Sequence, residues 1–181
     1  MYTNYYWLWP EVIPKDVCDL IIKRIPWEKS EQGSVQKNTK FIVDKKKRIT
    51  DVFWENPLSV VGCIAQSYIG QANSLASWNF VINGLEDVQI GRYTEKGHYD
   101  WHKDAMHPVN GQQRKLSLSL LLNDPSEFEG GTLEIKNVKK QPEMKLGSIC
   151  VFPSTLEHRI TSIKTGVRYS AVAWAQGPAF I

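Results

Sequence analysis

The stretch GRYTEKGHYDWHKDAMH, residues 91 to 107, holds three of the four histidines in the chain. Within it His-x-Asp occurs twice, as His98-Tyr99-Asp100 and as His102-Lys103-Asp104. Residues i and i+2 of a strand point to the same side, so either pair is able to chelate one ion. Parity does not choose between them, because 98, 100, 102 and 104 share it. A third ligand has to come from elsewhere, and the remaining histidine is His158, in FPSTLEHRI, directly after a proline-containing turn. Two histidines and one carboxylate on one face of an octahedral iron leave three positions open for a substrate and oxygen. A lone His-x-Asp is more often a pair of ordinary strand-end residues.

Arg168 argues against that plainer reading. HRITSIKTGVRYSAVAW delivers it ten residues past His158, by way of a turn at Thr165-Gly166, into an apolar strand. A planar cation in such a strand needs a carboxylate, because an unpaired buried charge is prohibitive. A dicarboxylate that chelates the metal with one end would satisfy the guanidinium with the other. An internal Asp or Glu would serve equally well. A zinc hydrolase also uses two histidines and a carboxylate, but it leaves Arg168 unexplained.

The elements that must position these residues fall into two textures. Pro14 followed by KDVCDLIIKRI reads as a helix with Val17, Leu20 and Ile21 on one side. EKSEQGSVQKN, residues 28 to 38, reads as a long polar loop, and FIV and RITDVFW read as short strands around Lys45-Lys46-Lys47-Arg48. PLSVVGCIAQSYIGQANSLA repeats apolar residues at helical spacing, at Val60, Val61, Ile64, Ala65 and Tyr68. From Trp78 the pattern changes to eight short strands, WNFVI, DVQIGRY, HYDWHKD, KLSLSLLL, TLEI, SICVF, EHRIT and VRYSAVAW, divided by turn signals such as Asn83-Gly84 and Gly130-Gly131. Eight strands after two helices predict a mainly β fold, an antiparallel double sheet of jelly-roll type with the N-terminal helices packed on one face. One domain over 1–181 is expected, with helical support to about residue 77 and the β core from about 78 to 176.

Bulk properties narrow the classes. The 181 residues are 42% apolar and 23% charged, enough for a real core, with seven tryptophans and seven tyrosines to fill it or to line a pocket. A net charge of +3 and a pI of about 8.7 suit an anionic ligand but fall short of a nucleic-acid-binding signature. The run Lys45 to Arg48 reads as a solvated loop or strand edge. Cys18, Cys63 and Cys150 are scattered and odd in number, which points to free thiols in a reducing cytosol. No leader peptide or membrane-length apolar segment is recognised, so a soluble cytoplasmic protein is expected.

At this point the chain resembles a family. YTEKGHYDWHKD is similar to the Y-x-x-G-x-x-Y/F-x-x-H-x-D element of the iron(II)- and 2-oxoglutarate-dependent dioxygenases, in their prolyl 4-hydroxylase and PKHD-type branch. RKLSLSLLLNDPSEFEGGTLEI and GSICVFPSTLEHRITSIKTGVRYSAVAW resemble the elements that follow in that branch, and VIPKDVCDLII resembles its leading helix. The resemblance covers about residues 87 to 175 in order. It implies a double-stranded β-helix core, cupin-like, and it chooses between the two pairs. Tyr99 and Tyr93 stand at the family's distances before His102, so His102, Asp104 and His158 become the expected metal ligands. His98 and Asp100 fall on the approach to the site, and His107 lies in a loop beyond it.

The implied cofactors are iron(II), 2-oxoglutarate and dioxygen, with ascorbate as an optional reductant. Arg168 is the expected partner of the far carboxylate of 2-oxoglutarate, with Tyr93, Ser117, Ser119 and Ser170 as candidate hydroxyls and Trp174 as a candidate wall. The implied activity is hydroxylation of an unactivated C–H bond, with release of succinate and carbon dioxide. A proline within a protein or peptide is the expected substrate, and a free amino acid or other metabolite is the alternative. Several peptidyl-prolyl hydroxylases carry a tyrosine where this chain has Leu121, which leans the reading toward the bacterial relatives. The nucleic-acid demethylase branch typically has a second arginine six residues after the first, where this chain has Trp174. Neither nucleic acid nor membrane is an expected partner.

Overall fold

The computed structural model describes residues 4–37, 40–105 and 107–179. Two helices lie against one face of a large sheet. The first, α1 (Lys15–Arg24), begins after Pro14, carries Asp16 in its first turn and ends on Lys23 and Arg24, each charge at the end of the helix dipole that favours it. It buries Cys18 and Ile21, whereas Leu20, expected on the inner side, is half exposed. The second, α2 (Val60–Leu75), is capped by the Ser59 hydroxyl, which accepts from the Gly62 N–H at 3.2 Å. Val61, Ala65, Ile69 and Ala72 form its buried stripe, while Val60 faces outward.

The strands are, in chain order, β1 (Trp7–Trp9), β2 (Glu31–Gln32), β3 (Val35–Lys37), β4 (Lys40–Ile42), β5 (Arg48–Ile49), β6 (Asp51–Glu55), β7 (Gly84–Leu85), β8 (Val88–Tyr93), β9 (His98–His102), β10 (Gln112–Leu121), β11 (Phe128–Glu129), β12 (Leu133–Ile135), β13 (Ile149–Pro153), β14 (His158–Ile160), β15 (Thr165–Gly166) and β16 (Arg168–Pro178). The large sheet runs β1-β13-β10-β16-β8-β6-β2, with β7 beside β16, and the small one runs β12-β14-β9-β5. Every pairing among them is antiparallel. The two sheets face each other as the double-stranded β-helix that the pattern predicts.

Alternation along β10 and β16 divides the molecule. Leu116, Leu118 and Leu120, with Ala171, Ala173 and Ala175, point to the helices and join Val61, Ala65 and Ile69 in one core. The intervening residues, Ser117 and Ser119 on β10 and Arg168 and Ser170 on β16, point between the sheets and are buried there. A second, smaller core of Tyr93, Leu133, Ile135, Cys150, Phe152, Ile160 and Ile163 fills the space around them. A run of small and polar residues in the middle of a buried sheet is thus the inner wall of the site.

Three expectations change. WNFVI is not a strand, because Ser77 (φ 57°) and Asn79 (φ 54°) take left-handed backbone on either side of Trp78. Trp78 instead packs with the helices and donates its indole N–H to the Asn4 carbonyl at 2.9 Å. The polar stretch 28–38 is not simply a loop, since it supplies β2 and β3, although Asn38 lies outside the described residues. The basic run is not wholly solvated either, because Arg48 is buried.

The Gly130-Gly131 turn does specific work. Gly131 has φ +63°, and a Cβ there would fall 2.5 Å from Ile163 Cδ1 and 2.8 Å from Arg168 Cδ. A Gly131→Ala chain should lose about 1–3 kcal/mol in denaturant unfolding, from the strained backbone and from crowding of the arginine stem.

Candidate metal centre

The local geometry of β9 assembles the site. Opposite β14, His158 pairs with His102 but Ile160 pairs with Tyr99, so two steps on one strand meet three on the other. β9 therefore carries a bulge, and the bulge brings Tyr99 and His102 to the same face although they are three residues apart. Their rings stack at 3.5 Å between centroids and 9° between planes. Simple parity fails here: Asp100 turns away to Lys47 (2.7 Å), and the His98 imidazole sits between the Lys96 and Lys46 carbonyls. Strand pairing with His158 thus selects His102 rather than His98.

Asp104 follows just after β9, held by its backbone N–H to the Ser154 carbonyl at 3.0 Å. Its two oxygens lie 3.5 Å from His102 Nε2 and 3.3 Å from His158 Nε2, and one donor atom from each of the three residues lies within 4.8 Å of the others. His102 Nδ1 lies 2.8 Å from the Asp100 carbonyl and His158 Nδ1 lies 3.0 Å from the Leu156 carbonyl. A carbonyl only accepts, so each Nδ1 carries the proton and each Nε2 turns its lone pair toward Asp104. Two imidazole nitrogens and a carboxylate, converging with their other faces anchored, fit a divalent iron.

The charges fit as well. Burial alone would raise the Asp104 carboxyl, yet the two imidazoles hold it well below the usual carboxylate range. Burial and the neighbouring His158 push His102 down, against Asp104. His158 is also opposed by burial, but the Asp104 charge outweighs it and moves the imidazole up. The metal-free triad consequently takes its first proton on His158, above the usual imidazole value. Mn(II) affinity should fall as pH is lowered through that range, by up to about tenfold per pH unit for one displaced proton. Titrations at a series of pH values measure the slope.

The expected cosubstrate residues separate into two places. Ser117 Oγ donates to Asp104 Oδ2 at 2.7 Å and lies 2.8 Å from Ser154 Oγ, so it belongs with the metal ligands rather than with Arg168. Ser117→Ala should weaken Mn(II) binding about tenfold, as lost support of a ligand does. Arg168 is 1% exposed, donates from Nη1 to Ser170 Oγ at 2.8 Å and sits 5.4 Å from the Tyr93 ring centroid. Among the described residues no carboxylate pairs with it. Ser119 is buried on the same inner face, opposite Val172, one inward position before Leu121, which lies opposite Ser170.

Trp174 lies elsewhere. It lines an open cavity of about 1090 Å³ together with His102, Asp104, Tyr99, Arg48, Gln89 and Arg114. Six steps of strand separate it from Arg168, about 20 Å of rise, so it walls the open side of the triad rather than the arginine end. The Arg114 guanidinium covers its ring at 3.9 Å and is itself held by Glu86. His107 also lines this cavity. Arg48, Arg114 and Glu86 escaped the sequence reading as site residues, because a charge that closes a lysine run, sits in a strand or follows a short one looks like a solvated charge.

Residues 88–176, which contain the triad and Arg168, match the model of the 2OG-Fe(II) oxygenase superfamily. These residues belong to this superfamily. A PKHD-type hydroxylase from a Synechococcus strain is 34% identical over 110 residues, covering 56% of this chain and 50% of the relative. One from Crocosphaera subtropica is 37% identical over 95 residues, covering 50% and 42%. The chain spans about half the length of the curated relatives it matches. Among solved structures, a Pseudomonas putida prolyl-4-hydroxylase superposes with a TM-score of 0.73 at 17% identity, covering 98% of this chain and 95% of that one. The viral collagen prolyl hydroxylase of Paramecium Bursaria Chlorella virus-1, in its 2OG complex, gives 0.70 at 20% identity and 97% of both chains. These likenesses extend the 2OG-Fe(II) oxygenase fold over nearly the whole chain. No helix among the described residues is long and apolar enough to cross a membrane.

Proposed function

We propose that the chain is an iron(II)- and 2-oxoglutarate-dependent hydroxylase acting on a proline within a peptide. The observation that carries the reading is Arg168, a buried cation without a carboxylate partner among the described residues, in the same inter-sheet space as three converging candidate ligands. His102, Asp104 and His158 would hold the iron, and Arg168 with Ser170 would take the far carboxylate of 2-oxoglutarate. Tyr93 packs beside that guanidinium, and Ser119 lies along the same wall. Bound together, iron and 2-oxoglutarate would use dioxygen to oxidise a C–H bond to an alcohol, one oxygen atom going to the alcohol and the other to succinate, with carbon dioxide released; ascorbate would keep the iron reduced.

The remaining work falls to the protein. Anchored Nδ1–H groups keep the imidazoles facing the metal, Ser117 and Ser154 orient Asp104, and Tyr93, Phe152, Leu133 and Ile160 keep water from the space between the sheets. On the open side, Trp174 lines a cavity larger than a free amino acid requires, and its buried indole N–H has no partner among the described residues. A donor of that kind suits a backbone carbonyl of an extended chain. Solved structures of like fold include a prolyl hydroxylase from Trichoplax adhaerens in complex with a peptide fragment of the oxygen degradation domain of hypoxia inducible factor. The alternative is the same chemistry on a small metabolite, and a cytoplasmic setting suits both.

The test incubates the protein with iron(II), 2-oxoglutarate and oxygen-18 gas in a soluble extract of the source organism, followed by peptide mass spectrometry. Heavy oxygen on proline of particular proteins, absent with His102→Ala, is the expected result. Consumption of 2-oxoglutarate without labelled protein would overturn the peptide reading in favour of a metabolite.

A further inference from the structure

A second arginine beside the candidate metal ligands is buried without an anion among the described residues. Arg48 is 5% exposed and lines the open cavity. It stands opposite Tyr99 in the β5–β9 ladder, with Cζ 4.5 Å from the Tyr99 ring centroid, and Tyr99 in turn stacks on His102 at 3.5 Å. The two centroid distances keep Arg48 Cζ within about 8 Å of the His102 ring centroid. Nη1 donates to the Ser34 carbonyl at 3.1 Å. Nε and Nη2, which share one edge of the planar group, are buried and have no partner among the described residues.

Elsewhere in this molecule that edge is where carboxylates sit. Arg92 holds Asp51 with Nε at 3.0 Å and Nη2 at 2.8 Å, and Arg114 holds Glu86 with the same two nitrogens. Arg48 has the same edge, more deeply buried, and no carboxylate among the described residues reaches it. Its plane is packed by Gly33: a Cβ there would lie 2.4, 2.8 and 3.0 Å from Nε, Cζ and Cδ. Distances so nearly equal put Gly33 above the plane of the group, not along the Nε–Nη2 edge. An unpaired guanidinium in a dry wall is costly, and a planar carboxylate meets two in-line donors better than a single carbonyl does.

We propose that Arg48 receives a carboxylate of the substrate, carried a few bonds from the carbon that is hydroxylated. This rests on the oxygenase reading above and adds a requirement to it. The carboxylate has two possible sources. A peptide offers an acidic side chain beside the target proline or its own C-terminus, and a free imino acid offers its α-carboxylate. Arg168 is the arginine left for 2-oxoglutarate, because it lies in the closed space between the sheets whereas Arg48 faces the open cavity.

The experiment compares acid and amide members of matched pairs: Gly-Pro-Asp against Gly-Pro-Asn peptides, peptides ending in proline acid against proline amide, and free L-proline against L-prolinamide. Binding to the protein loaded with Mn(II) and 2-oxoglutarate is followed by calorimetry, and turnover is followed with iron(II). At least one acid should bind about tenfold or more tightly than its amide, and Arg48→Gln should erase the difference while leaving the KM for 2-oxoglutarate within about twofold. The pair that shows the preference identifies the source. Equal binding of acid and amide in every pair overturns the proposal, as does a preference that survives Arg48→Gln or an effect that falls on 2-oxoglutarate. Those outcomes leave the oxygenase reading intact, whereas failure of the unaltered protein to bind 2-oxoglutarate with Mn(II) removes both.

Discussion

Asp104→Ala should weaken Mn(II) binding on the order of 10³-fold and end 2-oxoglutarate turnover, the largest effect expected of any single change here. Asp104 is the one anion of the triad, buried between two imidazoles that approach it at 3.3 and 3.5 Å. Removing it takes away a ligand and also the charge that attracts the cation. The Nδ1 anchors to Asp100 and Leu156 would remain, so both rings should keep their places and the chain should still fold. Calorimetric Mn(II) titration, with a thermal melt as the control for folding, measures both parts. Near-normal Mn(II) affinity in this variant would mean that the metal sits elsewhere.

Arg168→Met is the second. The KM for 2-oxoglutarate should rise on the order of 10²-fold or more, the loss expected when one partner of a buried charge pair is taken away. Mn(II) affinity should change little, because Arg168 touches Ser170 and Tyr93 rather than the triad. The melting temperature of the cosubstrate-free protein should hold or rise, since the change removes a buried cation that has no anion among the described residues. A structural arginine would behave in the opposite way, with a lower melting temperature and an unaltered KM. Following KM and melting temperature together therefore separates a binding role from a packing role.

Much of the site was legible in the sequence because its parts are chemically distinctive. His158 and Arg168 bracket a turn, and Ser117, Ser119 and Ser170 interrupt apolar strands at period two, the pattern of a sheet with one polar inner face. What resisted reading was geometry that leaves no compositional trace. The bulge in β9 is a single extra residue, invisible to any periodicity, and it is what turns Tyr99 inward beside His102 while Asp100 swings out. WNFVI has the composition of a strand, yet left-handed backbone at Ser77 and Asn79 breaks it on both sides of Trp78. β2 and β3 are two and three residues long, too short to establish an alternation, so a polar stretch concealed them. Arg48 closes a run of three lysines, and only the pairing of β5 with β9 turns it inward while Lys47 reaches Asp100 outside.

The bulge also sets how this segment can change over generations. Between Tyr99 and His102 the count of residues matters more than their kind. Deleting one of the two between them would restore simple alternation, which removes the bulge yet keeps Tyr99 and His102 on one face, two residues apart. Adding one would move His102 out of step with His158. Drift at Asp100 and Trp101 should therefore be tolerated so long as it proceeds by exchange, while gain of a codon there should be purged. Surface loops follow the opposite rule, accepting changes of length readily.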